Sequence, residues 1–200
     1  MREPGVRELF EVIAHTARLR EVERHNHATP ERRESVAEHS WHLALVCWLL
    51  HAEFEREAGR PLDLARMIKM CLMHDLVEID TGDPSAWSGG DRGEKARREE
   101  AVALRRFGAL PGDLAGEFLE LWHEYERGDT AEARLVRGVD RLNPALMRLL
   151  TGQGWHGVPA GAEELDRLQL PRVEVSGTLT ALYRHIREQA QERGLFASEG

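Results

Sequence analysis

Three ionisable side chains stand where helical periodicity calls for apolar ones. Between residues 62 and 78, Leu64, Met67, Ile68, Cys71 and Leu72 recur at the spacing of an amphipathic helix. His74 falls on that face, three residues after Cys71 and seven after Met67, and Asp75 follows, four after Cys71. Between residues 130 and 150 a second stripe, Val136, Val139, Leu142, Leu146 and Leu150, carries Asp140 four residues after Val136 and three before Asn143. An ionised carboxylate in a helical interior is costly unless it is paired or coordinates a cation. Two carboxylates and an imidazole turned inward therefore constrain the chain to fold around a cation or around buried ion pairs. The competing readings are His74 as a hydrogen-bonded core histidine and Asp140 as the partner of Arg137 or Arg141.

The remaining segments also read as helices. Residues 6–22 form the first, with Leu9, Phe10, Ile13, Ala17 and Leu19 as its buried side, and a polar, histidine-rich loop spans 23–34. Ser35-Val36-Ala37-Glu38 fits a capping box, in which hydroxyl and carboxylate satisfy the first free amides of a helix. That helix runs through Trp41, Leu45, Trp48 and Leu49 to about residue 58, where Gly59 and Pro61 stop it. Further helices are expected over 62–78, 94–107, from Pro111 to 128, over 130–150, and over 175–194, with a short one before the last. Residues 85–93 read as a mobile loop, 92–100 as exposed helix, and Trp41, Trp48 and Trp122 as core. Only residues 173–175 suggest extended chain. The fold class is all-α, a helical bundle forming a single domain over residues 1–200, with a metal-binding core at about 19–150 and helix 175–194 packed on it.

A net charge of −8 excludes a protein that coats nucleic acid, while leaving room for a small phosphorylated ligand held by an arginine and a metal. Cys47 and Cys71 sit in apolar helical runs and read as buried free thiols. The first residues have no apolar core of signal-peptide length, and no stretch reaches membrane-spanning length. The expectation is a cytoplasmic, reduced protein that does not engage membranes.

His39 lies one residue after the capping-box glutamate, with His42 one turn further on as the alternative. His39, His74, Asp75 and Asp140 make a nitrogen and oxygen ligand set suited to one divalent metal ion: Mn²⁺, Fe²⁺, Co²⁺, Ni²⁺, Zn²⁺ or Mg²⁺. Four protein ligands on an ion that prefers six leave positions for water and a phosphate oxygen.

The phrases Arg33-Glu34-Ser35-Val36-Ala37-Glu38-His39-Ser40-Trp41, His74-Asp75-Leu76-Val77-Glu78-Ile79-Asp80-Thr81-Gly82-Asp83 and Val139-Asp140-Arg141-Leu142 resemble the HD superfamily of phosphohydrolases, in its 5′-deoxynucleotidase-like branch. The resemblance implies an HD-type bundle that releases phosphate from (deoxy)nucleoside 5′-monophosphates through attack of a metal-activated water. It further implies metal ligation by His39, His74, Asp75 and Asp140, Glu78 as the catalytic acid, Asp83 as a second acidic group near the phosphate, and Arg24 as the substrate-phosphate arginine. It implies a homodimer as well. The branch often carries an aromatic residue after that arginine, crowding the sugar 2′ position. This chain has His25 there, so discrimination against ribose is not implied.

Rival readings are another HD reaction on a phosphodiester or nucleoside polyphosphate, or a non-catalytic nucleotide-binding regulator. No second histidine pair with its own ligand spacing supports a bimetallic phosphodiesterase. His25 and His27 suggest either an accessory metal site or a polar loop, and Glu124 either shapes the pocket or lies on a solvated face.

Overall fold

The computed structural model describes residues 5–83, 91–156 and 161–196. It is predominantly helical: α1 Val6–Thr16, α2 Val36–Ala58, α3 Leu64–Met73, α4 Glu78–Thr81, α5 Arg92–Phe107, α6 Leu114–Arg127, α7 Ala131–Thr151, α8 Ala162–Val173 and α9 Gly177–Glu192. A 3₁₀ turn over Ala17–Glu21 and two short strands, β1 Glu23–Thr29 and β2 Arg32–Ser35, lie between α1 and α2. Of the loop expected at 85–93, residues 85–90 lie outside the described residues, and α5 already begins at Arg92.

The capping box forms as expected: Ser35 Oγ accepts from Glu38 N–H at 3.2 Å, and Glu38 Oε2 accepts from Ser35 N–H at 2.9 Å. Its inward face is a different one, however. Val36, His39, Ser40, Leu43, Ala44, Cys47 and Phe54 are buried, whereas Trp41 and Trp48 are 63% and 61% exposed and Leu49 faces solvent. The helix carries apolar residues on two sides, and a buried histidine counts as polar, so periodicity favours the wrong stripe. Trp122 is buried as expected.

Other boundaries shift for local reasons. The first helix ends at Thr16 and buries none of its side chains; Leu19, in the 3₁₀ turn, is the buried residue of that region. The histidine-rich segment is an antiparallel hairpin with Glu23 opposite Ser35 and His27 opposite Arg33. Its inner face carries charged and polar groups, so no apolar alternation announces it. Pro111 precedes α6 instead of opening it, and Val173 ends α8 in place of an extended run. Leu72 and Leu150 face outward.

The core lies where α2, α3 and α7 meet, lined by Leu43, Cys47, Met67, Met70, Val136 and Val139. Cys47 and Cys71 are buried and free, their sulfurs 3.5 Å apart. Helix α9 packs on α7 at Gly138, where an added Cβ would lie 2.8 Å from Leu179 Cδ1. The hairpin is stitched to the end of α7 by Gln153, whose amide accepts from His27 N–H and donates to His25 O, each at 3.2 Å. No helix among the described residues is long and apolar enough to cross a membrane.

Candidate metal centre

Three segments deliver one cluster: His39 from the first turn of α2, His74 and Asp75 from the turn that closes α3, and Asp140 from the middle of α7. His39 Nε2 lies 3.2 Å from Asp140 Oδ1 and 3.9 Å from Asp75 Oδ2. His74 Nε2 lies 3.1 Å from Asp75 Oδ2 and 4.0 Å from Asp140 Oδ1. One ligand atom each from His39, His74 and Asp140 falls within 4.8 Å of the others. Ligands bound at ~2.1 Å to one ion are separated by about 3 Å when adjacent and about 4 Å when opposed, so the spacing suits a single cation.

Local backbone geometry aims these groups. Helix α3 ends at Met73, and the expected continuous helix to Glu78 is absent. Bonds from Leu76 N–H to Met73 O and from Glu78 N–H to Asp75 O follow the tighter three-residue pattern instead. His74 Nδ1 lies 2.9 Å from Cys71 O and donates to it. That hydrogen bond fixes the tautomer and leaves Nε2 with its lone pair toward the cluster. In a three-residue turn, residues i and i+3 eclipse, which stacks Glu78 over Asp75, not over His74. His74 Nε2 is buried and has no aligned hydrogen-bond partner. A buried imidazole nitrogen left this way, facing two carboxylates, fits a divalent ion.

Electrostatics support the same fit. Burial opposes the charge on Asp75, yet His74, Arg24 and His39 hold its carboxyl down at about 2. Asp140 is likewise kept well below the usual range, against burial, by Arg141, His39 and His74. Burial and then Arg24 lower His39 to about 4, so its imidazole stays neutral, as a ligand must be. Burial also opposes charge on His74, but Asp75 and Asp140 outweigh it and raise its pKa. Arg141 Nε approaches Asp140 Oδ2 only at 3.8 Å, and Arg137 instead donates to Tyr125 O at 2.6 Å. The ion-pair alternative for Asp140 is thus a long contact at the rim.

The remaining expected site residues surround this cluster. Arg24, on β1, donates through Nη1 to Asp75 Oδ2 at 3.3 Å. Glu78 is buried with Oε2 unpartnered; burial, Asp75 and Asp83 push its carboxyl well up. Asp83 is half-buried and is also raised, first by burial, while Arg24 pulls it down. His42 stands outside the cluster, its Nδ1 3.1 Å from Asn143 Oδ1. His27 Nδ1 is 3.2 Å from Pro30 O within the hairpin. Glu124 is buried in a pair with Arg66 and a hydrogen bond from Thr130, which makes it a structural brace.

Sequence reasoning missed three residues. Tyr125 donates to Asp140 Oδ2 at 3.0 Å, and its ring lies 4.8 Å from His74. Asn143 Nδ2 lies 2.9 Å from His39 Nδ1. Glu34 is buried on β2 beside Arg24. The spacing held a signal for two of them: Tyr125 continues the stripe of Leu121, and Asn143 lies three residues after Asp140. Nothing marked Glu34, because a glutamate in a polar loop normally faces water.

A helical bundle that gathers two imidazoles and two carboxylates from three segments, with an arginine at their edge, defines a metal-dependent phosphohydrolase. The HD domain profile matches residues 16–169, and the chain belongs to that family. It is 31% identical over 144 residues to 5′-deoxynucleotidase HDDC2 of Bos taurus, covering 71% of this chain and 67% of the relative. The Dictyostelium discoideum protein of the same name is 31% identical over 140 residues, covering 70% and 73%. A crystal structure of a predicted metal-dependent phosphohydrolase from Magnetospirillum magnetotacticum superposes with a TM-score of 0.80 at 36% identity, covering 96% of this chain and 98% of that one.

Proposed function

We propose that this chain releases phosphate from deoxynucleoside 5′-monophosphates, using one divalent ion held by His39, His74, Asp75 and Asp140. The observation that carries the reading is the buried His74 Nε2, 3.1 Å from Asp75 Oδ2 and 4.0 Å from Asp140 Oδ1 without an aligned hydrogen bond to either, with Arg24 and Glu78 alongside. The names of the relatives supply the substrate class. The ion is drawn from Mn²⁺, Fe²⁺, Co²⁺, Ni²⁺, Zn²⁺ and Mg²⁺, which accept a mixed imidazole and carboxylate set.

When bound, such an ion supplies a Lewis acid that withdraws charge from phosphate and makes water a better nucleophile. The chain supplies the rest. Arg24 is charged at all working pH values and presents a planar fork to phosphate oxygens. Glu78, its carboxyl pushed well up by burial and by Asp75 and Asp83, would serve as the acid that gives a proton to the leaving sugar oxygen. Asp83 stands near Arg24 as the second acidic group. Positioning and electrostatic complementarity account for most of the catalysis in phosphoryl transfer.

The substrate is a mononucleotide, not a nucleic acid, in keeping with the net charge of −8. The chain works in a reducing cytoplasm, which fits two buried thiols left unbridged. It works as a homodimer. The exposed Trp41 and Trp48, with Leu49, form an apolar stripe along α2 that a second copy would cover, and sedimentation of the wild-type protein beside Trp48→Glu tests this.

The decisive experiment is phosphate release from dAMP and dTMP by Mn²⁺-loaded protein, with Asp75→Ala alongside. The wild type is expected to turn over only with metal, and the variant to stay helical without turnover. Metal-independent release, or full activity in Asp75→Ala, would overturn the reading.

A further inference from the structure

Arg24 on β1 and Glu34 on β2 meet in the irregular stretch of the hairpin between the Glu23–Ser35 and His27–Arg33 pairs. Arg24 Nε lies 3.3 Å from Glu34 Oε2, and Arg24 Nη1 lies 3.3 Å from Asp75 Oδ2. The guanidinium is thus held between a carboxylate of the metal cluster and one that belongs to the hairpin alone. Glu34 is 2% exposed, and neither Arg24 Nε nor Glu34 Oε2 has an aligned hydrogen-bond partner.

A cross-strand pair of opposite charges is a common hairpin stabiliser when solvent completes its hydrogen bonding. Here solvent is excluded. A buried pair with unmet hydrogen bonds is weak support for a fold, because desolvation offsets most of its attraction. The same arrangement suits ligand binding, where a pre-positioned charge avoids ordering costs when the anion arrives. An arginine side chain has many rotamers, and a buried carboxyl fixed 3.3 Å from Nε removes much of that freedom while leaving the Nη end directed at the metal cluster.

We propose that Glu34 is a positioning residue for phosphate: it acts through Arg24, setting the guanidinium against the metal cluster so that an incoming phosphoryl group meets an ordered fork. The inference rests on the phosphohydrolase reading and adds to it a residue that touches neither metal nor substrate. Replacing Glu34 therefore weakens phosphate binding without weakening metal binding, and only while Arg24 is present.

The test is calorimetric titration of inorganic phosphate into Mn²⁺-loaded full-length protein, with dAMP kinetics and Mn²⁺ titration alongside, for the wild type, Glu34→Gln, Arg24→Ala and the double variant. Glu34→Gln is expected to weaken phosphate roughly tenfold and to raise KM similarly, with kcat falling no more than about threefold. Mn²⁺ affinity should stay unchanged. In the Arg24→Ala background, Glu34→Gln should have no further effect. Glu34→Asp, which retains the carboxyl one methylene further back, should give an intermediate loss and serves if Glu34→Gln does not fold. Unchanged phosphate affinity in Glu34→Gln, or an equal loss with and without Arg24, overturns the proposal and leaves the phosphohydrolase reading intact. A wild-type protein that binds Mn²⁺ but neither phosphate nor dAMP overturns both.

Discussion

Tyr125 reaches from α6 to donate its hydroxyl to Asp140 Oδ2 at 3.0 Å, while Asp140 Oδ1 stays 3.2 Å from His39 Nε2. The two oxygens of one carboxylate are thereby divided between an outer donor and the metal cluster. Such outer partners orient ligands, and their loss typically weakens metal affinity about 10–100-fold. Tyr125→Phe keeps the ring against His74 and removes only the donor. Mn²⁺ titration should show at least about tenfold weaker binding, with a melting temperature close to wild type. Unchanged affinity would mean that Asp140 is held by the backbone of α7 alone.

Asn143 joins His39 and His42, with Nδ2 2.9 Å from His39 Nδ1 and Oδ1 3.1 Å from His42 Nδ1. Ligation through His39 Nε2 requires a proton on Nδ1, so the amide must then present its oxygen to His39 and its NH₂ to His42. A carboxamide can serve both arrangements by a half-turn; an aspartate can serve only one. Asn143→Ala is expected to weaken Mn²⁺ binding about 10–100-fold, and Asn143→Asp to retain more affinity than Asn143→Ala. Equal affinities in wild type and Asn143→Ala would remove the residue from this role.

Gly138 lies two residues before Asp140, at the crossing of α7 and α9, where an added Cβ would sit 2.8 Å from Leu179 Cδ1 and 2.9 Å from Val175 Cγ2. Alanine favours a helix by about 1 kcal/mol over glycine, but overpacking costs about 1–3 kcal/mol. Gly138→Ala is expected to lower the melting temperature by a few degrees, on the scale of about 2–4 °C per kcal/mol for a chain this size. A higher melting temperature would show that α9 yields freely.

Glu38 provides the pH dependence. Its carboxyl is held down at about 2, first by hydrogen bonds from Arg32 and then, against burial, by Ser35. The folded value lies below the ordinary 4.5, so the contribution to stability is complete above that pH and is lost as pH falls toward about 2. The pair with Arg32 is open to solvent, which screens it, so the contribution is small. Glu38→Gln should melt slightly below wild type at pH 7, and the gap should close as the pH is lowered toward 2. A gap independent of pH would assign the effect to packing.

Much of the centre was legible from spacing. His74 and Asp140 each occupied an inward position on a stripe whose nearest members, Met67 and Cys71 in one and Val136, Val139 and Leu142 in the other, are buried, because helical period decides which residues share a face. The face of α2 was not legible: Trp41, Leu45 and Trp48 also recur at helical spacing, and only packing against α3 and α7 chose the side that carries His39. The hairpin escaped notice because Arg24, Asn26 and Glu34 turn polar groups inward, contrary to the pattern by which strands are recognised.

Local rules acting within a few residues sufficed for the capping box at Ser35, the arrest of α2 at Gly59 and the inward aim of His74 and Asp140, and these the chain determined by itself. What depended on the fold was everything joining distant segments: Asp140 brought to His39 across a hundred residues, Tyr125 and Asn143 set behind the ligands, and Arg24 fixed between Glu34 and Asp75. Such pairings depend on how helices cross and on which buried charges find partners, and no periodicity along the chain encodes either.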